Sequence, residues 1–345
     1  MLHFDTDYMR GAHPLVMERL VSTNSYQTPG YGTDRFTLSA RNLIREACGT
    51  PEADVFFLVG GTQTNATVID GVLRRHQGVL AAETGHINVH EAGAIEATGH
   101  KVLTLPSRGG KLSADDIDIY IRSFYADETY EHMVAPGMVY ISYPTELGTL
   151  YSLDELEAIS AVCRRHSIPL FIDGARLGYG LAANPEVGLA EIARLCDVFY
   201  IGGTKVGALF GEAVVVTKPG LIPAIVSLVK QHGALMAKGR LLGVQFETLF
   251  TDNLYVRIAR NAVARAMELK NGFIAKGYQT MVDSPTNQQF FILPNDVIDS
   301  LKQVATFELW GPRGEKQTPV RFVTDWGTKE EDVRTLLNAL PSFSE

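Results

Sequence analysis

"DVFYIGGTK", residues 197–205, is the stretch from which the rest of the chain can be read. Val198, Phe199, Tyr200 and Ile201 suit a buried strand, yet they run into Gly202, Gly203, Thr204 and then Lys205, with more small and apolar residues behind. Lysine is almost never fully buried unless it is paired. Its ordinary fate is to snorkel out of a loop into water. Here the flanking glycines and the run Val206-Gly207-Ala208-Leu209 make room for something to pack close. Apolar walls also weaken a lysine's preference for its charged form, which favours amine nucleophilicity and imine chemistry.

Outward from that stretch the same strand-then-turn pattern recurs. Between about residues 55 and 217 the runs "ADVFFLVGG", "GVLAAE", "GMVYISYP", "IPLFIDGA", "VFYIGG" and "EAVVVTK" alternate with helix-like segments. One of these, "SLDELEAISAVCRRHS", opens with Ser152 and Glu155 at capping-box spacing. Continuous apolar strands alternating with amphipathic helices predict an α/β fold with a mostly parallel central sheet covered by helices. A helical stretch near 222–250 follows, and from about 256 the pattern changes. A long helix over 256–276 precedes "YQTMV", "NQQFFILP", "TFELWGP" and "TPVRFVTDW", with helical "NDVIDSLKQV" and "KEEDVRTLLNAL" between and after them. The expectation is a large domain over 1–255, N-terminal segment included, and a smaller C-terminal α/β lobe over 256–345. A cleft between two such lobes is a common place for a small ligand.

Composition narrows the partners. The 345 residues are 46% hydrophobic and 20% charged, ordinary globular values with length enough for two lobes. A net charge of -8 argues against nucleic acid or an anionic membrane surface as the main partner. No apolar run is long enough to span a bilayer, and "MLHFDTDYMRG" is not a secretory signal. Cys48, Cys163 and Cys196 have neither metal-type nor disulfide-framework spacing, so core cysteines, no metal site and a cytoplasmic setting are expected.

Several other positions carry chemistry. In "GGTQTN" (60–65), Gly60 and Gly61 allow a tight turn, Thr62 offers a hydroxyl, and a helix N-terminus presents free N–H groups. That is a phosphate site in outline, without the P-loop lysine or the spaced Rossmann glycines; a plain glycine turn with a threonine cap is the alternative. "FIDGAR" (171–176) puts Asp173 at a strand's carboxyl end, where ligands gather in open α/β sheets, with Arg176 either serving the same site or simply pairing with it. His86, opening "HINVHEAGA", can stack on a ligand ring or cap its own segment. Arg321, in an apolar strand of the small lobe, needs an anion: a substrate carboxylate across the cleft, or a structural partner. Anion site, strand-end carboxylate and strand-end lysine together match what pyridoxal 5'-phosphate requires: an anchor for the phosphate, a partner for the pyridine nitrogen, and an amine for the imine.

The ordered set "GGTQTN", "GHINVHEAGAIEATGHKV", "LFIDGARL", "FYIGGTK" and "RFVTDW" resembles the L-threonine aldolases of low-specificity type. These belong to the aspartate-aminotransferase-type (fold type I) pyridoxal-phosphate superfamily, grouped with the β-eliminating aromatic amino acid lyases. "DTDYMRGAHP" and "TPGYGTD" extend the likeness over nearly the whole chain. The resemblance implies Lys205 as the imine-forming lysine, Asp173 as partner of the pyridine nitrogen, Gly61, Thr62 and Gln63 at the phosphate, and His86 stacked on the ring. It places Thr6, Arg176 and Arg321 at the substrate carboxylate. It also suggests Tyr31, with Lys238 or Arg240, as residues that reach a neighbouring subunit's site in a homotetramer or homodimer. One departure stands out: in "SYPTELGTLYS", Glu146 occupies the place of a second active-site histidine, and a carboxylate is a weaker base unless burial or a neighbour raises its pKa, so the base that takes the β-hydroxyl proton is Glu146, His86 or a bound water. The implied reaction is retro-aldol cleavage of L-threonine or L-allo-threonine to glycine and acetaldehyde, within threonine breakdown and glycine formation. Two alternatives stay open: a β-eliminating lyase acting on an aromatic amino acid, and a cofactor-binding protein without turnover.

Overall fold

A computed structural model describes residues 1–343. Its central sheet is built from β1 (Asp54–Leu58), β2 (Gln77–Ala82), β3 (Val102–Leu105), β4 (Ala135–Ser142), β5 (Leu170–Asp173), β6 (Val198–Gly202) and β7 (Glu212–Val216). Their spatial order is β1-β7-β6-β5-β4-β2-β3. Strands β2 to β6 pair in parallel, whereas β7 runs antiparallel to both of its neighbours, β1 and β6. Chain length explains the exception. A parallel return needs a crossover of about a dozen residues or more, and only residues 203–211 separate β6 from β7. The chain must therefore double back, and Lys205 lies in the loop that does so.

The apolar strand runs are buried on both faces. Phe199 and Ile201 join Ile141, Ile172 and Val215 in one core, while Val198 and Tyr200 join Tyr140, Phe171 and Val214 in another on the opposite face. Period-two alternation along a strand produces that division, and each such side chain taken from water contributes about 1.5–3 kcal/mol. Six of the strands coincide with the apolar runs read from the sequence. The seventh, β3, is a four-residue edge strand with Thr104 exposed, too short and mixed to stand out. Helix Leu153–Arg165 opens with the expected capping box: Ser152 accepts from the Glu155 N–H and Glu155 from the Ser152 N–H.

Helix Leu254–Ala275 leads into the small lobe, whose antiparallel sheet comprises Gln279–Thr280, Gln288–Pro294, Glu308–Leu309 and Gln317–Val323. Phe273 of the long helix stacks on Phe291, with ring centroids 4.2 Å apart, which fastens helix to sheet. Leu2–His3 pairs in parallel with Ala305–Thr306, and Phe4 packs in the small lobe's core. The start of the chain thus sits on the small lobe, where the sequence reading grouped it with the large one. All three cysteines are buried and free. Among the described residues no helix is long and apolar enough to cross a membrane.

Candidate active site

The glycines of "IGGTK" answer a steric demand. A Cβ on Gly202 would lie 2.3 Å from the Ala175 carbonyl oxygen, and one on Gly174 1.8 Å from that of Tyr200, so the ends of β5 and β6 approach only because both are glycine. Beyond them the 203–211 loop is pinned from below. The Glu212 carboxylate accepts from the Gly203 N–H at 3.0 Å and from the Thr204 hydroxyl at 2.8 Å, and the Tyr179 hydroxyl donates to the Lys205 carbonyl at 2.5 Å. Lys205 is delivered to a cavity of about 260 Å³. Burial pushes its pKa down and the Arg176 charge adds to this, against the opposing pull of Asp7, Asp173 and Glu212. Glu212, buried beneath the loop, is pushed up.

Asp173 forms another wall. Alternation puts Tyr140, Phe171 and Tyr200 on one face of adjacent strands, and the two tyrosine hydroxyls donate to Asp173 at 2.6 Å each. The Asn65 amide (3.0 Å) and the Ala175 N–H (2.9 Å) complete four donors. Burial pushes this carboxyl up; the charge of His86 and the tyrosine hydrogen bonds overcome it, and its pKa lies below the ordinary value. Asn65 also donates to Glu91, which meets His86 Nδ1 at 2.7 Å, so one amide ties the histidine's segment to the Asp173 wall. Glu146 accepts from the Ser142 hydroxyl at 2.6 Å and from the His86 N–H at 2.9 Å, and burial raises its pKa. The sequence reading required that upward shift of a carboxylate acting as a base.

Helix Gly61–Val72 points its N-terminus at the same cavity, lined there by Gly60, Gly61 and Thr62. Gln63 turns away: it donates to the His232 carbonyl at 2.8 Å and accepts from the Val59 N–H, which leaves only its backbone near the site. Arg176 and Arg321 line an adjoining cavity of about 280 Å³ together with Lys205, His86, Glu146 and Trp310. Tyr31, expected to bind substrate, is absent from this chain's own pocket. Its loop is fastened to residues 234–239 through the Ala237 carbonyl, and Tyr31 lines a separate apolar cavity with Phe56, Phe57 and Leu235. Thr6 is likewise not among the lining residues; its hydroxyl is buried with no partner among the described residues.

The model of the family described as β-eliminating lyase matches residues 4–294. The chain belongs to that family. β-Eliminating lyase relatives include a low-specificity L-threonine aldolase of a Pseudomonas species, 30% identical over 96% of this chain and 95% of that one. Among solved structures, a threonine aldolase of Leishmania major superposes with a TM-score of 0.95 at 42% identity, covering 98% of each chain. A Thermus thermophilus aspartate aminotransferase, at 16% identity and a TM-score of 0.71 over 98% of this chain and 90% of that one, shares the fold. Threonine aldolases and aminotransferase-type enzymes depend on pyridoxal phosphate, and this chain has room and donors for it. A Cβ on Gly60 would meet nothing within 4 Å, so the loop leaves open space at a helix N-terminus, the place where backbone N–H groups hold phosphate. Asp173, kept ionised, suits a protonated ring nitrogen, and the Lys205 amine faces the same cavity. Asn65, Glu91, Tyr140, Tyr200, Glu212 and Asp7 escaped the sequence reading. For Tyr140, Tyr200 and Glu212 the available signal was a polar group inside an apolar strand, which must find a partner when buried; Asn65, Glu91 and Asp7 lie outside the strands and carried no such signal.

Proposed function

We propose that this lyase cleaves β-hydroxy-α-amino acids, L-threonine and L-allo-threonine among them, to glycine and an aldehyde, with pyridoxal phosphate as cofactor. The observation that carries the reading is the meeting of Thr62, His86, Asp173 and Lys205, from four separate stretches of sequence, around one cavity. When bound, the pyridoxal ring supplies an electron sink for the pair released as Cα–Cβ breaks. Gly61 and Thr62 would hold the phosphate, Asp173 would keep the proton on the ring nitrogen, and His86 would lie against the ring. Burial favours the neutral amine of Lys205, the form able to attack a carbonyl. Arg321 orients the substrate carboxylate, with the charge of Arg176 beside it, which fixes the angle of the bond to be broken. Glu146, with its raised pKa, takes the β-hydroxyl proton.

The setting belongs to the same proposal. A homodimer or homotetramer in the cytoplasm, serving glycine formation, is supported by free buried cysteines and by an apolar N-terminal surface. Tyr8, Met9, Leu15, Met17, Val21, Tyr26, Tyr31 and Leu38 are all exposed. Such a surface suits a second copy, from which Tyr31 would reach a neighbour's pocket.

Product release from L-threonine and L-allo-threonine tests the function. Acetaldehyde with matching glycine is expected; ammonia with a keto acid would mean β-elimination instead. Lys205→Ala is expected to abolish turnover, and a variant that kept normal rates and the imine absorbance would remove Lys205 from its role.

A further inference from the structure

Arg176 and Arg321 both reach the cleft beside Lys205, and each already faces a carboxylate of the chain, but the two pairs are built differently. Arg176 grips Asp7 with two parallel bonds, Nε to Oδ2 at 2.7 Å and Nη2 to Oδ1 at 3.0 Å. Asp7 has no exposed side-chain surface and also accepts from the Asn287 amide at 2.9 Å, so it has nowhere to go. Arg321 instead holds Glu308 through Nη2 alone. The Glu308 side chain is 37% exposed, and among the described residues nothing else donates to its carboxylate. Meanwhile the guanidinium of Arg321 is held independently: Nη1 donates to Gln288 at 2.9 Å, and the group lies over the Trp310 ring at 4.9 Å from its centroid. Its Nε is buried without a partner, one donor unused.

From this we infer that Glu308 is a displaceable stand-in for the substrate carboxylate. The inference rests on the aldolase reading above, in which Arg321 takes that carboxylate. A guanidinium as buried as this one, at 8% exposure, is costly without a counter-charge. Glu308 supplies one while the cleft holds no amino acid. An arriving carboxylate takes Nη2 and the idle Nε as a two-point grip, and Glu308 swings into water through its exposed side. Gln288 and Trp310 keep the guanidinium in place throughout, because neither contact involves the carboxylate. Asp7 cannot be exchanged in this way, so Arg176 supplies fixed charge and Arg321 the exchangeable site. The competing view is an ordinary cross-strand ion pair, since Glu308 and Arg321 are register partners on adjacent strands.

Calorimetric titration of glycine into the holoenzyme and its Glu308→Gln variant separates the two views without needing turnover. If Glu308 competes with the ligand carboxylate, the variant binds glycine more tightly, by up to roughly fivefold, the span expected for a partly exposed ion pair removed as competitor. Glycinamide, which has no carboxylate, is expected to bind both proteins alike. With L-threonine the gain is expected in KM rather than in kcat. Unchanged or weaker glycine binding, or an equal gain for glycinamide, overturns the inference. The aldolase reading fails differently: wild-type enzyme would release no acetaldehyde from L-threonine, a result read on the unmodified chain, and the glycine titration would still decide on Glu308.

Discussion

Asp173, buried, and Glu146, partly buried, line the same pocket, yet their pKa values move in opposite directions. Burial pushes each carboxyl up. Asp173 meets four donors spread over both oxygens and the charge of His86, and ends below the ordinary value. Glu146 meets the Ser142 hydroxyl and the His86 N–H, both on Oε1, and burial wins. The contrast assigns the two groups: a carboxylate locked in its ionised form suits the partner of a cation, and one that holds its proton more tightly suits proton exchange.

Replacing the second of these breaks the comparison most severely. Glu146→Gln, if Glu146 is the base, is expected to lower kcat by about a hundredfold or more. In the wild type, kcat/KM should rise with pH through a limb lying above the ordinary carboxylate range, because the base must be ionised to act; the variant should lose that limb. Stability follows the same sign. With the folded pKa raised, Glu146 contributes stability below the ordinary carboxylate range and loses it as pH rises through the folded value. Urea unfolding across pH should therefore show Glu146→Gln gaining on the wild type as pH rises. A variant with full activity and an unchanged acid limb would move the base elsewhere, His86 being the neighbour best placed.

Asp173→Asn tests the opposite pole. Losing a charge-assisted hydrogen bond worth about 1.5–3 kcal/mol is expected to cost roughly 10- to 150-fold in kcat. Its pH signature is reversed. Asp173, with its pKa lowered, contributes stability above the ordinary range that is lost as pH falls through the folded value, so the wild type should lose more on acidification than the variant. An activity loss confined to KM would show that Asp173 serves binding alone.

The two carboxylates were unequally legible, and for a physical reason. Asp173 and Lys205 stand out because each ends an apolar run, and polar residues at the ends of buried strands are conspicuous. Glu146 was legible only through the family resemblance. The donors that set the pKa values were barely legible. Asn65 lies 108 residues before Asp173 in the chain, and Tyr140 and Tyr200 read as core aromatics because their rings are exactly that; only the buried hydroxyl hints at a partner. The parallel sheet could be read because its strands are apolar on both faces. The reversal of β7 follows from the short stretch between β6 and β7, too few residues for a crossover. Glu308 and Asp7 belong to pairings set by tertiary approach, which local pattern does not encode.

Tyr200→Phe is the gentlest way to sharpen the contrast, since it removes one of the four donors and leaves the ring. Phe171 packs between Tyr140 and Tyr200, with centroids 5.6 and 6.3 Å away, and those contacts do not need the hydroxyl. The variant should cost about 1–3 kcal/mol above the ordinary carboxylate range, where Asp173 is ionised and feels the loss. It should also move the Asp173 pKa upward, toward the behaviour of Glu146. The difference from wild type should then shrink as pH falls through the folded pKa of Asp173, because a protonated carboxyl no longer rewards the fourth donor as strongly. A destabilisation of the same size at every pH would place the cost in packing around the missing oxygen, and the donor count would cease to explain why these two carboxylates differ.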